Sequence, residues 1–154
     1  MAQVKDGTRP ICQNRKAGFE YEVLEKLEAG LALTGSEVKS CRNGRANLVD
    51  AWVRFAGGEA WLMDAHISPY EPANRYNHEP RRPRKLLMKN EEIDKWSRRV
   101  AEKGLSVIAM RLYFKGSWVK AELGLGRGRK SHDKRAAIRE REDRREADRA
   151  LRVR

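Results

Sequence analysis

The strongest constraint on the fold is the uneven distribution of large apolar side chains along the chain. After residue 130 the only large apolar residues are Ile138, Leu151 and Val153. Residues 130–154 contain ten Lys or Arg residues and six Asp or Glu residues. Such a segment cannot bury a face against a core, because buried apolar surface is the main force that holds an element on a domain. The core must therefore come from the residues before it.

This distribution divides the chain into three parts. Residues 14–126 contain the apolar patterning of a folded domain. Residues 1–13 are polar and include Gly7 and Pro10, which favours a flexible lead. Residues 127–154 form a basic tail, which we expect to be disordered alone and helical when bound to a partner. A full helix from Asp133 to Arg154 reaches roughly 33 Å, long enough to enter a groove or channel.

The charge of the chain points to a polyanionic partner. Its 154 residues include 34 Lys or Arg and 22 Asp or Glu, which gives a net charge of +12 and a pI near 10.1. Nucleic acid is the commonest polyanion, and an anionic membrane surface is the rival. No apolar stretch approaches the length of about 20 residues that spans a bilayer, and the first ten residues, MAQVKDGTRP, lack the apolar region of a signal peptide. Two cysteines 29 residues apart suit a reduced, cytoplasmic protein.

The sequence contains no recognisable catalytic, metal or cofactor site. His66, His78 and His132 are scattered and lack metal-ligand spacing. The glycines at 124, 126 and 128 precede Lys130, but the Gly-Lys-Ser/Thr end of a phosphate-binding loop is missing. We interpret them as a flexible hinge leading to the tail. The sequence therefore predicts a binding protein, not an enzyme, and requires no cofactor.

Apolar periodicity and turn residues predict mainly β structure between residues 14 and 126. Thr34 and Glu37 form a capping-box pattern that opens a helix, and Gly57-Gly58 joins two strands of a hairpin. The predicted helices cover 15–19, 34–42 and 90–103, the last with an apolar stripe of Ile93, Trp96 and Val100. The predicted strands cover 21–33, 51–55, 59–68, 105–115 and 118–125. A long loop spans 69–83. Hairpins without parallel βαβ units suggest a small closed antiparallel barrel with capping helices.

Six ordered blocks of sequence resemble the SsrA-binding protein family, SmpB. They are Asn14-Arg15-Lys16-Ala17, residues 28–40 (EAGLALTGSEVKS), Gly44-Arg45-Ala46-Asn47-Leu48, residues 64–70 (DAHISPY), residues 82–87 (RPRKLL), and residues 122–128 (ELGLGRG) leading to Asp133-Lys134-Arg135. The resemblance extends from about residue 14 to residue 150.

The resemblance implies an OB-type barrel that binds the tRNA-like domain of transfer-messenger RNA. Proteins of this family enter bacterial ribosomes stalled on messages without a stop codon and replace the missing anticodon arm. The resemblance also implies that the tail enters the empty mRNA channel and meets small-subunit rRNA near the decoding centre. One monomer per RNA is expected, with no membrane partner.

The resemblance also implies which residues carry these contacts. The expected RNA-binding residues are Asn14, Arg15, Lys16, Glu28, Arg45, Arg84, Lys85, Leu87 and Lys120. The expected ribosome-binding residues of the tail are Gly128, Lys130, His132, Asp133, Lys134 and Arg135. Basic side chains suit phosphates, Asn14 suits a base edge or 2′-hydroxyl, and His132 can stack on a base.

Other roles remain open for several of these residues. Leu87 can be a core residue, Glu28 can order the barrel or hold a neighbouring arginine in position, and Glu37 suits a helix cap better than a contact. The tryptophans are more often core residues than stacking platforms; they are Trp52, Trp61, Trp96 and Trp118. The alternative functions are a generic single-stranded nucleic-acid-binding OB-fold protein and a membrane-surface or scaffold protein.

Overall fold

The computed structural model describes residues 7–129 and 131–152, without the side chains of 74–76, 131–134, 136–137 and 152. Nine strands and four α-helices follow one another in this part of the chain. The strands are β1 (Thr8–Gln13), β2 (Tyr21–Leu31), β3 (Ala46–Asn47), β4 (Trp52–Ala56), β5 (Glu59–Met63), β6 (His66–Ile67), β7 (Arg84–Leu87), β8 (Ser106–Lys115) and β9 (Trp118–Gly128). The helices are α1 (Ala17–Glu20), α2 (Gly35–Arg42), α3 (Asn90–Lys103) and α4 (Ser131–Arg152), and a 3-10 turn spans Glu71–Tyr76.

Six strands close into an antiparallel barrel. Their order is β8-β4-β5-β7-β2-β9, and β9 pairs back with β8, so the sheet has no free edge around this ring. The seam between β4 and β8 is narrow, with Trp52 opposite Ile108. This arrangement confirms the predicted mainly β, OB-type barrel with capping helices.

Strand β1 is a correction to the expected flexible lead. Residues 8–13 pair antiparallel with the end of β8, from Thr8 opposite Lys115 to Gln13 opposite Arg111. Because β4 covers only the beginning of β8 on that side, the end of β8 offers unpaired backbone groups that β1 satisfies. Residues 1–6 lie outside the described residues.

The core comes from alternating residues of the barrel strands and from one face of α3. Leu62, Leu86, Leu112, Leu123 and Leu125 have at most 1% of their surface exposed. Helix α3 buries Ile93 and Trp96, with Val100 packed beside them, as the predicted apolar stripe requires. Gly104 ends this helix in the left-handed conformation, at φ 61°.

Gly124 and Gly126 are packing residues within a continuous strand, so the predicted hinge over residues 124–128 is wrong. Strand β9 runs to Gly128, opposite Tyr21 at the start of β2. A Cβ atom added at Gly126 would lie 2.2 Å from the carbonyl oxygen of Glu22. The two strands approach this closely only because residue 126 has no side chain.

A fully buried ion pair joins α2 to the start of β7. Glu37 and Arg84 are both 0% exposed. The Nε atom of Arg84 donates to Glu37, and its Nη1 and Nη2 atoms donate to the carbonyl oxygens of Ala65, at 2.7 Å, and Pro80, at 2.9 Å. One guanidinium therefore ties together α2, the segment before β6 and the turn before β7.

The Glu37 carboxylate also caps its own helix. It accepts a hydrogen bond from the backbone N–H of Thr34 at 2.9 Å, which confirms the predicted capping box, and a further one from Arg82. Burial by itself would raise the pKa of Glu37. The hydrogen bonds from Arg82, Thr34 and Arg84 outweigh that effect and hold the pKa below its ordinary value.

The tail forms a long exposed helix. Helix α4 has 22 residues, roughly 33 Å of helix, and its described side chains are exposed. The guanidinium of Arg141 lies 4.7 Å from the ring centre of Phe19 on α1. Within α4, Arg144 and Glu140 form an ion pair at 3.9 Å. The helix expected for the bound tail is thus present in the single chain, and disorder of the free tail stays a prediction. Among the described residues, no helix is both long and apolar enough to cross a membrane.

We expect the substitution Glu37→Gln to lower the free energy of unfolding by about 3–5 kcal/mol at pH 7, because it leaves the Arg84 charge buried without its partner. Glutamine preserves the size and the capping ability of the residue, so the loss reports the charge. Urea unfolding followed by circular dichroism measures it. The matched control, Glu140→Gln on the exposed α4 pair, is expected to change stability by less than about 1 kcal/mol.

The same pair predicts a pH dependence. The folded pKa of Glu37 lies below its unfolded value of about 4.5. Its contribution is therefore complete above that value and is lost as the pH falls through the folded pKa. The difference in stability between the wild type and Glu37→Gln should shrink as the pH falls below about 4.5. A difference that is constant between pH 7 and pH 3 would contradict the assignment.

Candidate nucleic-acid interface

Three adjacent strands bring several of the predicted RNA-binding residues onto one outer face. In the β9–β2–β7 sheet, Lys120 lies opposite Gly30, and Gly30 lies opposite Leu87. Glu28 is two residues from Gly30 and shares its side of β2, since alternate strand residues point the same way. Lys85 is two residues before Leu87 on β7 and therefore points to the same side of the sheet. We call these residues, Glu28, Lys85, Leu87 and Lys120, the β2 face.

Leu87 is a surface residue, so its alternative role in the core is wrong. Its side chain is 56% exposed, whereas the preceding residue, Leu86, is 1% exposed. Leu87 leans over Gly30, where an added Cβ would lie 3.3 Å from the Cβ and Cδ1 atoms of Leu87. A glycine on the central strand therefore lets this apolar side chain lie against the face while it remains open to solvent.

Glu28 is held by two groups of β8. It accepts hydrogen bonds from the hydroxyl group of Tyr113 and, at 3.3 Å, from the ammonium group of Lys115. The Tyr113 bond is the main cause that lowers the pKa of Glu28; burial acts against it, and Lys115 and Lys120 add to it. Glu28 is therefore an oriented carboxylate at neutral pH. It can accept a hydrogen bond from a base amino group or a ribose hydroxyl, and it also links β2 to β8.

The two lysines of the β2 face differ in their partners. Lys85 forms an ion pair with Glu59 at 3.1 Å, and both side chains are nearly half exposed. Lys120 has no carboxylate in ion-pair contact among the residues that the structure describes. Its charge is therefore the one on this face most available to a phosphate group.

Arg84 is a correction to the predicted RNA contacts. It is fully buried and its donors are used by Glu37 and by backbone carbonyl groups. Because residues alternate along β7, Arg84 and Leu86 point inward while Lys85 and Leu87 point outward. Arg84 thus supports the strand that carries the β2 face, and it does not reach a phosphate.

Asn14 also lies inside the protein, with 8% of its surface exposed. Its Nδ2 atom donates to the carbonyl oxygens of Leu48, at 3.0 Å, and Ala109, at 3.3 Å. Its Oδ1 atom is buried and has no hydrogen-bond partner among the residues that the structure describes. The predicted contact with a base edge is therefore corrected to an internal one, in which Asn14 joins the start of the domain to β8.

The remaining predicted contacts of the folded domain lie on other elements. Arg15 and Lys16 are exposed next to α1. Arg45 is exposed between α2 and β3, where its backbone bonds to Ser40 and Ser68 hold the chain. These three residues are exposed cations outside the β2 face.

The tail begins at an anchored point of the barrel. Gly128 is exposed at the end of β9, and the backbone N–H of Arg129 donates to the carbonyl oxygen of Glu20 at 2.7 Å. Arg135 is exposed on α4. His132, Asp133 and Lys134 belong to the backbone of α4, and their side chains, like the whole of Lys130, lie outside the described residues.

The structure places other reactive groups in structural roles. The ring of His78 bridges the hydroxyl of Ser36 and the carbonyl oxygen of Ile67, each at 2.8 Å. Burial raises the pKa of Cys12 to about 11 and that of Cys41 to about 12, so both remain thiols at neutral pH. Within the described ranges, no three His, Cys, Asp or Glu side chains are grouped to hold a metal ion.

The model of the SmpB protein family matches residues 11–153. This chain belongs to the SmpB protein family. The SsrA-binding protein of Carboxydothermus hydrogenoformans is 54% identical over 144 residues, which cover 94% of this chain and 97% of the relative. The SsrA-binding protein of Symbiobacterium thermophilum is 53% identical, covering 100% of this chain and 98% of the relative.

The fold resembles that of a solved member of the family. A structure described as "tmRNA-SmpB: a journey to the center of the bacterial ribosome" superposes with a TM-score of 0.68. It is 40% identical to this chain and covers 83% of it and 94% of its own length. The likeness therefore extends over most of both chains.

We expect the substitution Tyr113→Phe to raise the pKa of Glu28 toward its ordinary value, because it removes the hydrogen bond that lowers it most. A carboxyl-carbon NMR titration of Glu28 measures the change. Lys115→Met, which removes the weaker contact, should raise the pKa less. The control Tyr21→Phe lies far from Glu28 along β2 and should leave the titration unchanged. An unshifted Glu28 in Tyr113→Phe would contradict the proposed orientation of the carboxylate.

Proposed function

We propose that this protein binds the tRNA-like domain of transfer-messenger RNA, or SsrA RNA, and delivers it to stalled bacterial ribosomes. The observation that carries this proposal is the family match over residues 11–153, joined to an exposed cationic face on the barrel. The proposal is a binding function without a cofactor, in the cytoplasm, with one protein monomer for each RNA.

The β2 face supplies chemically distinct contacts for a folded RNA. Lys85 and Lys120, with Arg15, Lys16 and Arg45 farther away, suit phosphate groups. Glu28 is an oriented acceptor for a base amino group or a 2′-hydroxyl, and Leu87 suits the apolar side of an exposed base or sugar. Phosphate contacts give affinity for any RNA, whereas Glu28 and Leu87 discriminate by shape and hydrogen bonding.

The tail supplies the second contact. An exposed helix of roughly 33 Å is long enough to lie in the empty mRNA channel while the barrel holds the RNA in place of the anticodon arm. In this proposal Gly128, Lys130, His132, Asp133, Lys134 and Arg135 meet small-subunit rRNA near the decoding centre. The exposure of the described α4 side chains supports this proposal, because their charges are accessible to the rRNA that lines the mRNA channel.

We expect the wild-type protein to bind a transcribed tRNA-like domain more tightly than an unstructured RNA of equal length at physiological salt. Lys120→Met should weaken binding and reduce the slope of log K against log salt by about one, because one phosphate contact is lost. Lys103→Met, an exposed lysine at the end of α3, is the matched control and should change neither value. Equal affinity for both RNAs would favour a generic nucleic-acid-binding barrel.

We expect a chain truncated after Arg129 to retain its affinity for the RNA within about twofold but to fail in tagging, because the tail and not the barrel reaches the mRNA channel. Arg129 is kept because it closes the end of the barrel against Glu20. The measurement is peptide tagging in a translation system stalled on a message without a stop codon. Tagging by the truncated chain at the wild-type rate would show that the two-contact mechanism is wrong.

A further inference from the structure

Trp118 is the most exposed of the four tryptophans, all of which lie within the described residues. Its exposed fraction is 71%, although its residue type predicts a core position. The next residue, Val119, is 6% exposed and points into the barrel. Trp118 therefore points outward at the beginning of β9, and its side chain contributes little buried surface to the stability of the fold.

The position of Trp118 relates it directly to the β2 face. Trp118 and Lys120 are two residues apart on β9, so they point the same way and lie roughly 6.6–6.8 Å apart along the strand. Lys120 is opposite Gly30 on β2, and Gly30 is in turn opposite Leu87 on β7. The indole ring thus extends the same outer face by one step along β9, toward the turn that joins β8 to β9.

The middle strand of this face carries small residues. Gly30 has no side chain, and the next outward residue of that segment, Ala32, is exposed. The backbone N–H of Ala32 donates to the carbonyl oxygen of Lys85 at 3.0 Å, which continues the pairing of β2 with β7. Trp118 and Lys120 on β9 therefore lie on one side of these small residues, and Lys85 and Leu87 on β7 lie on the other.

The charges on this face favour a polyanion over a basic or neutral partner. Glu28 is neutralised by Lys115 and Glu59 by Lys85. Glu122 lies 3.0 Å from Arg111 and 4.0 Å from Lys26, so it has two cationic neighbours. Lys120 remains without a carboxylate in ion-pair contact within the part of the chain that the structure describes.

We propose that Trp118 stacks on an unpaired base of the bound RNA while Lys120 holds the phosphate group of the same nucleotide. The indole accepts any base, because every base presents a π face, but the base must be free of its own stack. This inference rests on the proposed function and adds a stacking residue to the same face. The inference requires that the RNA bound by the barrel has an unstacked nucleotide where it contacts Trp118.

The test compares four proteins for binding to the transcribed tRNA-like domain over a series of salt concentrations. Trp118→Leu keeps an apolar side chain but removes the π face, and we expect the affinity to fall roughly 5- to 150-fold. Trp118→Phe keeps an aromatic face and should stay within about threefold of the wild type. Trp52→Leu is the matched control, because Trp52 is 41% exposed on β4, outside the β2 face, and should bind like the wild type.

The salt dependence separates stacking from a lost phosphate contact. Trp118→Leu should leave the salt slope unchanged, since stacking releases no counterions, whereas Lys120→Met should lower it by about one. Fluorescence quenching gives a second readout: addition of the RNA should quench the wild-type protein and Trp52→Phe, and Trp118→Phe should lose most of that quenching. Thermal unfolding verifies that each variant is folded.

The outcomes also separate this inference from the proposed function. Binding by folded Trp118→Leu within twofold of the wild type would overturn the stacking role, even if the wild type prefers the tRNA-like domain. A lowered salt slope in Trp118→Leu, or quenching that persists in Trp118→Phe, would overturn it as well. Failure of the wild type itself to prefer the tRNA-like domain over unstructured RNA would instead refute the proposed function.

Discussion

The buried pair of Glu37 and Arg84 is the interaction on which the arrangement of the outer face depends. Two opposite charges without exposed surface are stable only when their remaining hydrogen-bonding groups are satisfied. Here the carbonyl oxygens of Ala65 and Pro80 and the backbone of Thr34 satisfy them. The pair therefore determines where α2 and the start of β7 lie relative to each other.

This interior arrangement has a direct consequence for the surface. Because β7 alternates, an inward Arg84 requires Lys85 and Leu87 to point outward, next to Gly30 of β2. A change of register by one residue would bury Lys85 and expose the arginine, at a high cost in free energy. The buried charge thus helps to specify which side chains of β7 can meet a partner.

The comparison of sequence with structure shows which signals are local. The capping box at Thr34, the apolar stripe of α3 and the hairpin turns depend on neighbouring residues, and each was predicted correctly. The role of Arg84 was predicted wrongly, because its partner Glu37 lies 47 residues away in the sequence and no local pattern identifies the pair. Gly126 was interpreted as part of a hinge for the same reason, since only the approach of Glu22 from β2 explains why a side chain is excluded. Trp118 shows the converse error, in which an apolar residue type was given a core role at a position that the barrel leaves exposed.

The amino-acid sequence by itself determined the division between a foldable domain and a charged tail, the antiparallel barrel and the family resemblance. These properties follow from composition, periodicity and short motifs, which are readable along the chain. Only the tertiary structure decided that residues 8–13 form a strand, that Asn14 and Arg84 are internal, and that Glu28, Lys85, Leu87 and Lys120 share one face with Trp118. Those outcomes depend on which strands become neighbours when the sheet closes, and closure brings together residues that are far apart in sequence.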